Sequence, residues 1–505
     1  SAGILEAFQL DASTAEGIRA LRYLSMLFGI GQILLVFASL RLLFPNELRR
    51  PLVGTAMATL LPAHIYHAHY VTNETFLALL ASGVFYLALR VLRSERFNPL
   101  LAAALGICFG AALLTKLTAL ILAPVLLLTF ATQLIVQRAE WRRWAGTMGI
   151  AVASCLLVGG WYYWGLLKSG GPWNQSQWAY GTGWWQEDGY RTAGYYLRFG
   201  QSLFHPLYSG FHSFWDGVYS TLWGDGLCGG STSVDFRPPW DYDHLALGYW
   251  LSLLPMVAVL LGFGLTIWTM LRRPANEWSL LAGPVLLFGL ALFYLSLTAP
   301  GTSQVRASFG LLLLIPFCAM FSVGFGRMAS WRWPAGVALI ILMILWGLNS
   351  FCAHWVPKSS AQPQLARAKL LFESGHFQQA AREAEEGLRR DPSKSSLRSI
   401  LADCWNQLGQ TNEAKQTVQQ ALSRWPGDPV VHLDAGFEHA RAGKFNEAIA
   451  ETRQATALAP DHAMAARQLF LLLASQRRFD EAEVARREAL RINPYDPVLR
   501  GRRDP

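Results

Sequence analysis

"GAALLTKLTALILAPVLLL" (Gly110–Leu128) decides how the larger part of this chain reads. Two apolar runs meet at a four-residue turn, "TKLT" (115–118), whose one charge is Lys116. Each run extends far enough to cross about 30 Å of hydrocarbon, which takes roughly 20 helical residues. Working outward, ten such runs lie near 21–43, 51–67, 75–92, 98–115, 117–136, 145–167, 246–271, 278–298, 308–326 and 333–355. Over 505 residues the chain is 52% hydrophobic and 15% charged, with 20 Trp. That is too apolar for a soluble protein and predicts a membrane domain joined to a soluble part.

The charge supports this division. The chain has 43 Lys and Arg against 34 Asp and Glu; from Ala361 onward the counts are 21 and 19, leaving 22 and 15 before it. The excess of +9 thus sits mostly in the membrane part, where cytoplasmic loops collect arginine. It does not point to nucleic acid. The six cysteines are scattered, without CxxC, so neither a disulfide framework nor a cysteine metal site is expected. No basic segment followed by a short apolar stretch opens the chain, so no signal peptide is expected.

"NELRRP" (46–51), "RSERFN" (93–98), "QRAEWRR" (137–143), "RRPANE" (272–277) and "GRMASWRW" (326–333) fall on one side of a ten-span count. By the positive-inside rule that side is cytoplasmic. The other side then holds "HAHYVTNETF" (67–76), the turn with Lys116, the loop 168–245, "APGTSQVRAS" (299–308) and everything after Trp355. The expected location is the inner (cytoplasmic) membrane, multi-pass, with the long loop and the C-terminal part periplasmic.

Four groups on that outer side can carry chemistry. In "HAHYVTNETF", Glu74 opens a helix, with Thr72 or Asn73 as its cap. The plain reading is a capped helix start at an interface. The functional one has Glu74, with His67, His69 and Asn73 in support, holding a metal or a substrate. Lys116 and Arg306 are both outer-side cations beside short turns. Either can snorkel to headgroups, but two that converge suit an anionic ligand such as a phosphate. The loop 168–245 holds seven Trp and seven Tyr, more than an interfacial belt needs. Its aromatic faces and acids, among them Trp184, Trp185, Asp216, Trp223 and Asp225, suit a sugar-like ligand. One amphipathic helix is expected over 193–222, and "WGDGLCGGS" (223–231) as a glycine-rich turn.

From Pro363 the texture changes. Pro392, Pro426, Pro460 and Pro494 step by 34; so do Ala380, Ala414, Ala448 and Ala482, and Gly375, Gly409 and Gly443, with Arg477 in the fourth place. A 34-residue period with small residues in each helix resembles tetratricopeptide repeats, four of them over about 363–498. Such arrays form an α-solenoid that contacts a protein or peptide, or acts as a spacer.

The outer-side motifs, taken in order, resemble the polytopic glycosyltransferases of the GT-C fold, in the bacterial protein-mannosyltransferase-like and aminoarabinose-transferase-like branch (families 39 and 83). "GIRALRYLSMLFGIGQILLVFASLRLLFP" (17–45) is similar to the span after that group's first outer loop. "LLPAHIYHAHYVTNETFLALL" (60–80) resembles its next segment, with Glu74 at an acid position. The opening stretch is similar to its "LTK-T-L…P" helix pair, placing Lys116, and "QVRASFGLLLLIPFCAMF" (304–321) to its "RY-LP-LP" span, placing Arg306.

The resemblance implies an all-α chain: a GT-C-like transmembrane bundle over 1–360, including the loop 168–245, then a tetratricopeptide α-solenoid over 361–505. It implies a polyprenyl-phosphate sugar as donor, basic residues on its phosphate and a carboxylate base on the acceptor. A divalent metal, Mg or Mn, would be held by acids such as Glu74. The family's first-loop acid precedes the part matched here, so the catalytic base is expected N-terminal to Ser1; Glu6, Asp11 and Glu16 do not form that motif. Two other readings stand beside the transferase: a non-catalytic scaffold acting through its repeats, and a ligase moving a preassembled glycan. Membrane lipid and a repeat-bound protein or peptide are the expected partners.

Overall fold

A computed structural model describes residues 15–136, 140–168, 193–227, 240–272, 276–298, 305–330, 333–356, 361–460, 462–492, 496 and 498–499. All regular structure among them is helical. The chain forms two compact units. The first comprises Ser1–Phe199, Gly217–Asp225 and His244–Phe351; the second comprises Gly200–Asp216, Gly226–Asp243 and Cys352–Pro505.

The first unit opens with α1 (Ala15–Leu43), α2 (Arg49–Leu60), α3 (Pro62–His69), α4 (Asn73–Arg93) and α5 (Pro99–Thr115). A 3-10 turn, Leu117–Ile121, leads into α6 (Leu122–Val136). α7 (Trp141–Cys155) passes through a π turn, Leu156–Gly160, into α8 (Trp161–Lys168). α9 (Ala193–Leu197) belongs to this unit and α10 (Gln201–Phe204) to the second, while α11 (Phe214–Trp223) and α12 (Tyr242–Leu251) have most of their residues in the first, which continues with α13 (Leu253–Arg272) and α14 (Asn276–Thr298). A 3-10 turn, Ala307–Leu313, precedes α15 (Leu314–Ala329), and α16 (Trp333–Trp355) closes the bundle.

Among the described residues, eight helical stretches are long and apolar enough to cross a membrane: Glu16–Leu43, Asn73–Arg93, Leu117–Val136, Trp141–Lys168, Leu253–Arg272, Glu277–Leu297, Ala307–Ala329 and Gly336–Trp355. The ten apolar runs therefore resolve differently from ten long helices. The run at 51–67 breaks into α2 and α3. Leu61 is extended (φ −65°, ψ 117°), as a residue before proline prefers, and Pro62 restarts the helix where its missing N–H is not needed. α5 has 17 residues, about 25 Å at 1.5 Å per residue.

Small residues let these helices cross closely, as membrane interfaces require. A Cβ on Gly106 would overlap the Ala151 carbonyl, and one on Gly110 would lie 2.9 Å from the Cys155 carbonyl. Where α13 meets α15, a Cβ on Gly262 would overlap the Met320 carbonyl, and one on Gly324 the Ala258 carbonyl.

The arginine-rich loops gather at one end. Arg93 pairs with Glu277 at 2.7 Å and also donates to the Leu42 carbonyl. Arg143 donates to the Ser94 carbonyl and, at 3.2 Å, to that of Glu95.

The second unit carries eight repeat helices in pairs: α17 (Gln362–Glu373) with α18 (Phe377–Arg390), α19 (Ser395–Gln407) with α20 (Thr411–Arg424), α21 (Pro429–Arg441) with α22 (Phe445–Leu458), and α23 (Ala463–Ser475) with α24 (Phe479–Ile492). The first helix of each pair ends on a left-handed residue: Gly375 (φ 76°), Gly409 (φ 77°), Gly443 (φ 74°) and Arg477 (φ 58°). Glycine enters that conformation without a Cβ penalty, so the 34-residue glycine column has its cause. Ala380, Ala414 and Ala448 are fully buried, because the paired helices leave no room for a larger side chain.

The helix expected over 193–222 is instead α9, α10, a 3-10 turn (Ser209–Phe211) and α11. Gly200 at φ 124° and Tyr208 at φ 58° redirect the backbone, and Pro206 lacks an amide donor. Tyr208, Phe211 and Leu227 bury themselves with Ala463, Ala466, Ala489 and Ile492 of the last repeat.

Candidate functional site

Three interruptions of helix build the site in the first unit. α3 ends before Tyr70 and α4 restarts at Asn73. α5 stops at Lys116, which is extended (φ −163°, ψ 138°) before its 3-10 turn. Arg306 is likewise extended (φ −127°, ψ 117°) before the turn Ala307–Leu313, which packs on α3 and α4. Each interruption places a polar side chain at a helix end rather than against lipid.

The structure brings the predicted residues Glu74 and Lys116 together as an ion pair. The Glu74 side chain is 9% exposed and that of Lys116 26%. The Lys116 ammonium also lies 4.7 Å from the centre of the Phe309 ring, a cation–π contact. Arg306 and Lys116 are both near enough to His67 to act on its ring electrostatically. The site therefore offers a buried carboxylate paired with Lys116, and a second cation, Arg306, whose charge reaches the same His67.

The supporting residues divide. His67 is buried and its Nδ1 has no hydrogen-bond partner; its carbonyl accepts from the Thr75 hydroxyl at 3.0 Å. The His69 Nδ1 lies 2.7 Å from the Ile65 carbonyl, within its own helix. Asn73 is the first residue of α4, and Thr72 occupies the cap position without a side-chain cap bond. The expected Thr72 cap is thus positional only.

The loop residues also divide. Asp216 is fully buried in the second unit. It accepts from Gly200 N at 3.2 Å, Ser202 N at 2.9 Å, Ser202 Oγ at 2.8 Å and Ser213 Oγ at 2.7 Å, and its own N–H donates to Ser213 Oγ at 2.9 Å. The Ser213 hydroxyl thus accepts from the Asp216 N–H at the start of α11, as an N-cap does, and the Asp216 carboxylate braces the loop. Trp223 is fully buried, with its ring edge-on to Trp346 at 5.7 Å. Asp225 is buried in the first unit. It acts on the phenol of Tyr70, which burial and then the Asp225 carboxylate push up to about 12, with Arg22 opposing. Trp184 and Trp185 lie outside the described residues.

Sequence reasoning missed Phe309, Tyr70 and Thr221. Phe309 sits under Lys116, which is distant in sequence, so no local spacing announces the contact. Nothing in the sequence marks Thr221, whose hydroxyl accepts from Ala307 N at 2.8 Å.

Among the described residues, no three His, Cys, Asp or Glu side chains gather as a metal-binding group. Glu74 faces an ammonium, which competes with a divalent cation for the same oxygens.

Residues 13–164 match the family model described as dolichyl-phosphate-mannose-protein mannosyltransferase, which is less than half of the chain. Residues 365–429 and 433–497 match the tetratricopeptide repeat model. The chain thus joins a mannosyltransferase-like segment of the GT-C type to a repeat array, and the all-α expectation holds. No curated protein matches it. Among solved structures it is similar to YrrB, described as a TPR protein with an unusual peptide-binding site (19% identity, 35% of this chain, 88% of that one, TM-score 0.23). MamA AMB-1 (16%, 34%, 90%, 0.21) and yeast Tom70 (12%, 83%, 90%, 0.24) are further examples. At these TM-scores the likeness carries no argument.

Proposed function

We propose that the first unit transfers a sugar from a polyprenyl-phosphate donor to an acceptor hydroxyl, on the extracytoplasmic side of the inner membrane. The pairing of Glu74 with Lys116, beside the Arg306 turn that packs on α3 and α4, carries this reading. They lie in turns other than the arginine-rich loops, which suits an outer-side site under the positive-inside rule. The mannosyltransferase family match over 13–164 supports it.

In this mechanism the glycosidic bond to phosphate breaks as the acceptor oxygen attacks the anomeric carbon. Lys116 and Arg306 hold the phosphate and stabilise the charge it gains. Glu74 in its ionised form accepts hydrogen bonds from sugar hydroxyls. Its pairing with Lys116 fixes both groups before the donor arrives. The repeats supply a protein-contact surface, which suits an acceptor or partner protein outside the membrane.

The test uses full-length protein in nanodiscs, nonaprenyl-phosphate mannose as donor and a serine- and threonine-rich peptide as acceptor probe. Wild-type protein releases nonaprenyl phosphate in step with peptide labelling. Arg306→Ala and Lys116→Met weaken donor binding by about tenfold or more, the worth of one charged hydrogen bond. Unchanged donor affinity in both variants removes them from the phosphate site.

A further inference from the structure

The first unit carries a groove that the transferase reading does not use. α13 and α15 cross tightly at Gly262 and Gly324, where a Cβ on either glycine would overlap a backbone carbonyl of the other helix. α15 and α16 also approach closely: a Cβ on Gly336 would lie 2.9 Å from the Ala329 carbonyl. α13 and α16 are tied nearer their other ends, where Trp346 Nε1 donates to Ser252 Oγ at 2.8 Å. Among these fixed points a groove of about 640 Å³ opens between α13 and α16, backed by α15. Its size lies within the roughly 300–1,000 Å³ of ligand pockets.

The lining is sorted by chemistry. Leu339 is buried at the floor, and Val257, Leu261 and Leu342 are exposed along the walls. Among the described residues, one charged side chain lines the groove, Arg327, and no carboxylate stands beside it there. α13 and α15 both run toward the arginine-rich end, where a Cβ on Gly326 would lie 3.4 Å from Arg50 Nε. Arg327 comes three residues after the crossing at Gly324, about 4.5 Å of helix rise. The cation thus sits at the arginine-rich end of an otherwise apolar slot.

The face of α13 that borders the groove continues the pattern. Val257, Leu261, Gly264, Trp268 and Arg272 follow the three- and four-residue steps of one helix face. A Cβ on Gly264 would meet nothing within 4 Å, so the space stays open past Leu261. Trp268 is exposed, with the Arg272 guanidinium 4.1 Å from its ring centre. An apolar slot, an interfacial tryptophan and cations follow one another along one line, in the order in which a phospholipid presents its chain, its ester region and its phosphate.

We propose that this groove binds one anionic phospholipid from the leaflet on the arginine-rich side, with its phosphate on Arg327 and one acyl chain against Leu261, Leu339 and Leu342. The inference rests on the membrane reading of the bundle and stands apart from the transferase reading. Lipid tails are as apolar as leucine, so the slot contributes shape rather than a hydrophobic gain. Selectivity comes from the guanidinium, whose planar fork of N–H donors fits a phosphate. A zwitterionic headgroup brings its own ammonium to the same place and is disfavoured beside Arg327.

Native mass spectrometry tests the site on full-length protein in detergent, titrated with phosphatidylglycerol or with phosphatidylcholine of identical chains. The wild type takes up one phosphatidylglycerol in about tenfold preference to phosphatidylcholine, the worth of one charged hydrogen bond. Arg327→Gln loses the preference, and Arg327→Lys keeps part of it. Gly264→Leu, whose side chain grows into open space, weakens uptake of both lipids while its unfolding midpoint stays that of the wild type. Equal uptake of the two lipids by the wild type, or an unchanged preference in Arg327→Gln, overturns the site and leaves an adventitious boundary lipid only. A wild type that retains neither lipid overturns it as well. So does a lipid-free dimer that dissociates in Gly264→Leu, because a second copy of the chain then fills the groove.

Discussion

The Lys116 ammonium and the Glu74 carboxylate pair across 42 residues of sequence. With the carboxylate nearly buried, removing either partner leaves the other poorly compensated. Glu74→Gln and Lys116→Met are each expected to destabilise the protein by about 1–3 kcal/mol. The double variant should fall short of the sum by about 0.5–3 kcal/mol, since the two changes share one interaction. Unfolding of full-length protein in detergent, followed by tryptophan fluorescence, measures the cycle. Additive losses would mean that the pair contributes nothing.

Close helix crossings give a second expectation. Gly324 and Gly264 lie on neighbouring helices, but only Gly324 faces a backbone carbonyl, that of Ala258; a Cβ on Gly264 meets nothing within 4 Å. Gly324→Ala must therefore push α13 and α15 apart, at about 1–3 kcal/mol for an overpacked contact. Gly264→Ala should be neutral or slightly stabilising, because alanine favours the helix by about 1 kcal/mol. Monodispersity after a heating series separates the two variants. Equal behaviour would contradict the crossing geometry.

Arg477 gives the third. It holds the left-handed position that Gly375, Gly409 and Gly443 hold in the other repeats. A side chain there costs about 1–2 kcal/mol, so Arg477→Gly should raise stability by about 0.5–1 kcal/mol once glycine's own entropy is counted. Gly409→Ala should lower it by a similar amount. Hydrogen exchange of the amides in α23 and α24 reports the first, and of those in α19 and α20 the second. A loss of protection in Arg477→Gly would sink the argument.

How much the sequence told depended on whether a signal was local. The repeat was legible because its glycine and alanine columns answer to backbone conformation and close packing, which recur every 34 residues. Lys116 and Arg306 stood out because a cation beside an apolar run on the arginine-poor side needs a reason. Asp216 and Asp225 look alike in the sequence, two acids in an aromatic loop. The unit each belongs to separates them: in the second unit four donors surround Asp216, whereas Asp225 lies in the first and acts on Tyr70. Those surroundings are assembled by residues such as Gly200, Tyr208 and Thr221, whose roles depend on tertiary packing. The break at Leu61 was announced by Pro62, yet an apolar run on both sides of a proline still reads as one span.

His212 gives the last expectation, a pH dependence confined to the second unit. Burial lowers its pKa below the ordinary histidine value; His205 and Arg491 add to this, while Asp216 and a backbone hydrogen bond with Ile492 oppose it. The folded state therefore holds the ring neutral where the unfolded chain begins to protonate it, near about pH 6.5. Below that value the unfolded state binds the extra proton, so stability present at neutral pH is lost as pH falls toward the folded pKa. The neighbouring Phe211 and Ile492 belong to the cluster that joins the loop to the last repeat, so that cluster should loosen first. Hydrogen exchange of α24, corrected for the intrinsic pH effect, should show less protection at about pH 5.5 than at about pH 7.5. His212→Gln, which cannot titrate, should flatten this difference. An equal pH response in wild type and His212→Gln would show that another group sets it.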